Sequence, residues 1–252
     1  MSSPEIPNFL QLPTQDLLDQ FGAGRHKPGS GSAAALLGLV ACKMMQTVIA
    51  ATRRNARHSA NFDQLEFVRS FLVQQHEPFF REAVQRDAVQ FDLYHKAKLA
   101  RNACTDTSEK RRLNTAAREE LMPATQIPLE ISQHAAETAE RGMVVYDLGA
   151  PYVRGDSGVA VSAALSSCSG ALFVVYLNLL QFREGRWAAT TRSKADSIAE
   201  RYQALQYEQF RRVSRIQAEG IENLQRELEL QLQPPDDDPV HEQALQGCGR
   251  RS

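Results

Sequence analysis

Cysteine is scarce and badly spaced for chemistry in this chain: four residues (Cys42, Cys104, Cys168 and Cys248), none in a CxxC pair. That argues against a zinc ribbon or a thioredoxin-type centre and suits reduced structural thiols in a cytoplasmic protein. The six histidines are equally isolated: His26, His58, His76, His95, His134 and His241 have no partner histidine at i+4, and His76-Glu77 lacks the second histidine of HExxH. The expectation is no metal site. Charge of one sign is also missing, with a formal net charge of −1, so no overall field draws the chain to nucleic acid or an acidic membrane. The first fifteen residues, with acidic and proline residues, lack the basic start and apolar core of an export signal. Strand-type alternation is absent too. With 42% hydrophobic and 23% charged residues over 252 positions, these observations predict an all-α globular protein.

What is present is two long stretches almost empty of charge. The first, His26–Ala51, opens with Lys27-Pro28-Gly29-Ser30-Gly31-Ser32 and continues in alanines, leucines and Gly38. Proline ends whatever precedes, the glycines let the backbone turn and approach another surface, and Ser30 or Ser32 is expected to cap a buried helix. The amides of its first turn are expected to face the mouth of the loop and suit an anionic or carbonyl-bearing ligand. No Walker-type lysine follows; Lys43 comes eleven residues after Ser32.

The second stretch carries no formal charge between Asp156 and Arg183. Asp156 is expected as its N-cap, and Ala160, Ala163, Ala164, Ser167 and Gly170 form a small-residue surface suited to the first helix. Either run is long enough to span a bilayer. The serines and Asn178 in one, and Lys43 in the other at roughly 2.5–3.5 kcal/mol, argue against insertion. No membrane partner is therefore expected.

Between these stretches, apolar residues at helical spacing run from Leu65 to about Leu99, with a kink expected at Pro78. Asp87 lies among Ala83, Val84, Ala88 and Phe91, which sets a carboxylate at the edge of the inward face. Another helix starts at Ser108, and Pro123 and Pro128 are expected to interrupt it. An early helix from Thr14 is expected to turn Leu17, Leu18 and Phe21 inward. From Ser193 to Leu232 a charged helix presents Ile198, Tyr202, Leu205, Phe210, Val213, Ile216, Ile221, Leu224 and Leu228 to the core or to a partner. The expected organisation is an arm (1–13), one helical domain (14–232) and a disordered tail (233–252).

Several of these segments resemble the cyclodeaminase/cyclohydrolase family, which includes the cyclodeaminase domain of formiminotransferase-cyclodeaminase and stand-alone methenyltetrahydrofolate cyclohydrolases. Pro28-Gly-Ser-Gly-Ser-Ala-Ala-Ala35 is similar to its PGGGSAAA opening, and Arg86-Asp87-Ala-Val-Gln-Phe91 to its acidic segment. Glu109 through Pro128-Leu, Asp156-Ser-Gly-Val-Ala160 and Val175-Tyr-Leu-Asn178-Leu match further family steps in order. The chain departs from the pattern at Ser30, at Ala150, at Gly155 and at Leu99-Ala-Arg, where a proline is usual.

The resemblance implies an all-helical bundle around two small-residue helices, a homodimer, and a reduced-folate pocket at the Gly-rich loop. Substrate-binding candidates are then Pro28, Gly29, Ser30, Gly31, Ser32, Asp156 and Asn178. Asp87 is the candidate acid or base, with Lys43 or Lys98 as a polarising cation. The implied activity is cyclodeaminase or methenyltetrahydrofolate cyclohydrolase, with a tetrahydrofolate derivative as substrate and no tightly bound cofactor or metal. The departures leave open a homodimer of the same fold that binds a different small ligand or regulates without catalysis.

Overall fold

A computed structural model describes residues 6–182 and 185–232; the expected tail 233–252, with His241 and Cys248, lies outside them. The described residues contain helices and no strand. They comprise α1 (Thr14–Gly22), α2 (Ser30–Arg53), α3 (Phe62–Phe71), α4 (Glu77–Ala103), α5 (Thr107–Leu148), α6 (Arg154–Leu179) and α7 (Arg186–Leu232).

The chain divides into two compact units, residues 1–209 and 210–252. In the first, α2 and α6 pack together at the centre, while α5 lies along α6 and α4 lies along both α5 and α2. The small residues permit this. Ala160, Ala164, Ser167 and Ala171 are buried, and Ser167 Oγ donates to the Ala34 carbonyl at 2.7 Å across the helix pair. Gly38 has a different neighbour: a Cβ there would stand 2.4 Å from the ring of Phe80, so its absence lets α4 seat a fully buried phenylalanine on α2. By length and composition both central helices could cross a membrane; half of each apolar window is buried inside the fold.

One expectation about the prolines, the interruption at Pro123 and Pro128, is corrected. Pro78 does not end the helix: a π-helical turn, Leu72–His76, joins α3 to α4 immediately before it. Pro123 and Pro128 do not interrupt α5, which runs 42 residues through both. Lacking an N–H, Pro128 cannot serve the carbonyl of Ala124; the side-chain amide of Asn178 on α6 donates to it instead, at 3.2 Å. That explains a buried asparagine in an apolar helix. The helix of Ser108 begins at Thr107, with Asp106 accepting from the Glu109 amide at 2.7 Å.

The packing places the remaining apolar positions. Phe9 of the N-terminal arm is buried, and its amide donates to Gln85 of α4. Leu17 is inward and Leu18 is exposed. Along α7, Ile198 and Leu205 are buried within the first unit. In the second unit, Phe210, Val213, Ile216, Ile221 and Leu224 are exposed, and the Leu228 side chain lies outside the described residues. Cys42 and Cys168 are buried free thiols, each pushed up to about 12 by burial and so unreactive.

Candidate functional site

Residues 24–31 carry the chain from α1 into α2. Gly24 has a positive φ of 66°, which an L side chain resists, and it starts the turn. Pro28 follows a cis peptide and is buried. Gly29 is the residue that precedes the first turn of α2, and no side chain of the loop caps that helix. The expectation that Ser30 or Ser32 caps it is therefore corrected. Ser30 is exposed, and Ser32 is a buried donor in the first turn.

The cap comes from another helix. Asp87 of α4, only 6% exposed, accepts through Oδ2 from the Ser32 amide at 2.7 Å and lies 2.9 Å from Ser32 Oγ. That hydroxyl is also 2.9 Å from the Val84 carbonyl. A carboxylate thus occupies the positive end of the α2 dipole, satisfying one of its orphan donors. Gly31 makes the approach possible. A Cβ on it would lie 2.1 Å from Oδ1 of Asp87, well inside any contact distance. Burial pushes the Asp87 carboxyl above its ordinary range, against the opposing effect of the Ser32 hydrogen bonds.

One turn farther along α4, a second buried carboxylate fastens the start of the loop. Asp92 Oδ1 takes Nε2 of His26 at 2.8 Å and Nζ of Lys27 at 2.9 Å, while Oδ2 takes Nζ of Lys96 at 2.8 Å. Burial works to raise Asp92, and the bonds from Lys96, His26 and Lys27 outweigh it, holding the carboxyl well below its usual range. The His26 ring stacks on His95 at 4.1 Å between centroids, and Lys98 Nζ sits 5.9 Å over the Tyr94 ring. The charge of Lys98 also acts on His95. The result is a rim of imidazole and ammonium groups built on a buried anion beside the first turn of α2.

Of the sequence candidates, Pro28, Gly29, Ser30, Gly31, Ser32 and Asp87 come together here, and Lys98 stands on the rim's side of α4. Three do not join them. Lys43 lies twelve residues past Gly31, roughly 18 Å along the helix, and pairs with Glu77 at 2.6 Å. Asp156 is exposed in the first turn of α6, where Val153 occupies the capping position, so it is not the N-cap. Asn178 is occupied by the Ala124 carbonyl. The sequence reading missed His26, Lys27, Asp92 and Lys96; of these contacts, only the i,i+4 spacing of Asp92 and Lys96 was visible in the linear order.

A cavity of about 960 Å³ opens among the N-terminal arm, α4 and α5. Leu10, Pro78, Val89 and Ile127 form its apolar walls, with Arg81 and Arg86 at the edge. Those guanidinium groups are paired with Glu77 and with Glu130, and the lining holds no buried carboxylate or imidazole. It has volume without evident chemistry, whereas the loop has the chemistry.

The sequence pattern described as formiminotransferase-cyclodeaminase matches residues 13–197, most of the chain, from just before α1 into the first turns of α7. The chain belongs to this family. No curated protein sequence matches it. Among solved structures it is similar to the crystal structure of formiminotetrahydrofolate cyclodeaminase from Thermotoga maritima, with a TM-score of 0.68 and 14% identity. That likeness covers 79% of this chain and 94% of the other, and establishes the all-helical fold common to both.

Proposed function

We propose that the chain is a folate one-carbon enzyme, a formiminotetrahydrofolate cyclodeaminase or a methenyltetrahydrofolate cyclohydrolase, acting at the mouth formed by residues 24–31 and α4. Family membership supports the substrate class. The observation that carries the reading is Asp87: a desolvated carboxylate with an upward-shifted pKa, set against the glycine loop. In cyclodeamination N10 bonds to the formimino carbon and ammonia leaves; in cyclohydrolysis water adds to the methenyl carbon and a proton is released. Either reaction moves a proton, and a carboxyl poised above its ordinary range suits that task. The rim of Lys27, His95, Lys96 and Lys98 suits the carboxylates of the folate's glutamyl end. This chemistry requires no resident cofactor or metal.

The proposed assembly is a cytoplasmic homodimer. Phe173, Leu177 and Leu180 follow one another at four- and three-residue intervals at the end of α6, Val159 lies fourteen residues earlier on the same face, and all stay exposed, Phe173 at 72% and Leu180 at 75%. Such a stripe on a central helix suits a second copy of the chain.

A second reading, a cyclodeaminase-fold protein that binds a different small ligand or regulates without turnover, rests on one observation. Oδ2 of Asp87 already serves Ser32, which gives the residue a sufficient structural role. Following methenyltetrahydrofolate absorbance, and ammonia released from formiminotetrahydrofolate, separates the two. Turnover supports the enzyme. Absence of turnover together with absence of thermal stabilisation by reduced folates rejects the folate reading.

A further inference from the structure

A second group of chemically able side chains lies where the π-helical turn meets α5, at His76, eleven residues and roughly 16 Å along the helical axis before Asp87. His76 is completely buried. Its Nδ1 is 2.6 Å from Thr138 Oγ1, and that hydroxyl donates its one hydrogen to the His134 carbonyl at 2.7 Å. The hydroxyl must then accept from His76, so the proton is on Nδ1 and the Nε2 lone pair is bare. Nε2 has no hydrogen-bond partner, and neither does the buried Nδ1 of His134, whose ring meets that of His76 edge-on at 5.0 Å between centroids. Two unsatisfied buried imidazole nitrogens on rings in edge-on contact are costly unless something coordinates them.

Glu137 completes the group. Its Oε2 is 3.5 Å from Nε2 of His76, while Oε1 is steadied by Gln133 Nε2 at 3.3 Å and by Arg201 at 4.0 Å. Ligand atoms from His76, His134 and Glu137 all lie within 4.8 Å of one another. For ligand bonds of about 2.0–2.1 Å, a tetrahedral ion sets its ligand atoms about 3.4 Å apart. The His76–Glu137 pair already has that separation. The remaining separations, up to 4.8 Å, require a shift of the His134 ring, which stacks on Phe79 at 3.8 Å between centroids. The Thr138 hydroxyl on Nδ1 is the outer partner that fixes the tautomer and direction of a ligating imidazole. Burial keeps His76 neutral, its pKa pushed down to about 4, with the charges of His134 and Arg141 acting the same way.

We propose that His76 Nε2, His134 Nδ1 and the Glu137 carboxylate bind one divalent transition-metal ion of the zinc type, tying the π-turn between α3 and α4 to α5. Two imidazoles and a carboxylate are a donor set that zinc accepts, with a fourth position left for water. Glu137, half-buried at the surface, provides the way in. The sequence alone did not show the site because its two histidines sit on helices 58 residues apart.

The test uses the full chain after treatment with a chelator. Calorimetric titration with Zn²⁺, and Co²⁺ titration followed by visible d–d absorption, are expected to show one saturable equivalent and a raised Tm with Zn²⁺. Glu137→Gln and His134→Gln, checked for folding by circular dichroism, are each expected to weaken binding at least about tenfold. His58→Gln, a histidine outside the group, is expected to leave affinity unchanged. No saturable uptake by the wild type, or equal affinity in Glu137→Gln and His134→Gln, overturns the proposal. Neither result depends on folate turnover.

Discussion

Replacing Gly31 with alanine tests whether the cross-helix cap holds the loop. On the unaltered backbone the new Cβ stands 2.1 Å from Oδ1 and 2.5 Å from Cγ of Asp87, so the carboxylate must withdraw by more than an ångström to reach ordinary contact. Asp87 is buried and short, and its retreat breaks the 2.7 Å bond from the Ser32 amide. Loss of such a charged hydrogen bond costs about 1.5–3 kcal/mol, and overpacking adds about 1–3 kcal/mol. The higher helix propensity of alanine returns at most about 1 kcal/mol. A net destabilisation of roughly 2–4 kcal/mol is expected, or a Tm lowered by roughly 5–15 °C in a protein of this size. Thermal and urea unfolding of Gly31→Ala, Asp87→Ala and the double variant provide the measurement. In the double variant the clash is gone, so a coupling of at least about 1 kcal/mol between the sites is expected. A Gly31→Ala protein as stable as wild type, or strictly additive variants, would refute the argument.

Asn178→Leu should cost about 1–3 kcal/mol by stranding the Ala124 carbonyl, and Pro128→Ala, which restores a backbone donor to that carbonyl, should reduce the penalty; urea unfolding of the four-member cycle reads this directly. Glu77 provides the pH test: burial tends to raise it, but bonds from Lys43, Gln46 and Arg81 hold it at about 2. Because the folded pKa is below the unfolded one, its contribution is present above about pH 4.5 and fades as pH falls toward 2. Glu77→Gln should flatten that part of the stability–pH curve, and equal slopes for variant and wild type would count against the pairing. Light scattering should give about 56 kDa, twice the 28.1 kDa chain, and Phe173→Glu should shift the protein toward monomer; a wild-type monomer at micromolar concentration contradicts the dimer.

The central helix pair could be read from the sequence because two long runs nearly empty of charge leave a compositional mark, although only half of each apolar window is buried within the fold. A run without charge and rich in Ala, Gly and Ser has few other uses in a helical protein. The length of α5 was hidden because Pro123 and Pro128 are strong local signals, and the partner that compensates for Pro128, Asn178, is 50 residues away. Asp87 stood out because Val84, Ala88 and Phe91 bracket it, yet the same spacing cannot reveal that its partner is the amide of Ser32. Lys43 misled because it interrupts an apolar run. On the folded helix it faces outward to Glu77, where a lysine is inexpensive. The His26–Asp92 and His76–His134 groupings are wholly tertiary, and no periodicity announces them.

The central claim is that Asp87 moves a proton on a reduced folate bound at the loop, and Asp87→Asn isolates it. With its carbonyl oxygen in place of Oδ2, asparagine can still accept from Ser32, so stability should change by no more than about 1 kcal/mol while proton transfer is lost. Steady-state kinetics with formiminotetrahydrofolate and methenyltetrahydrofolate, run beside unfolding curves for both proteins, decide the matter. The account predicts that kcat of the active reaction falls about 10²–10⁴-fold with the fold intact. Equal kcat in wild type and Asp87→Asn would contradict it and leave Asp87 as the cap of α2 alone.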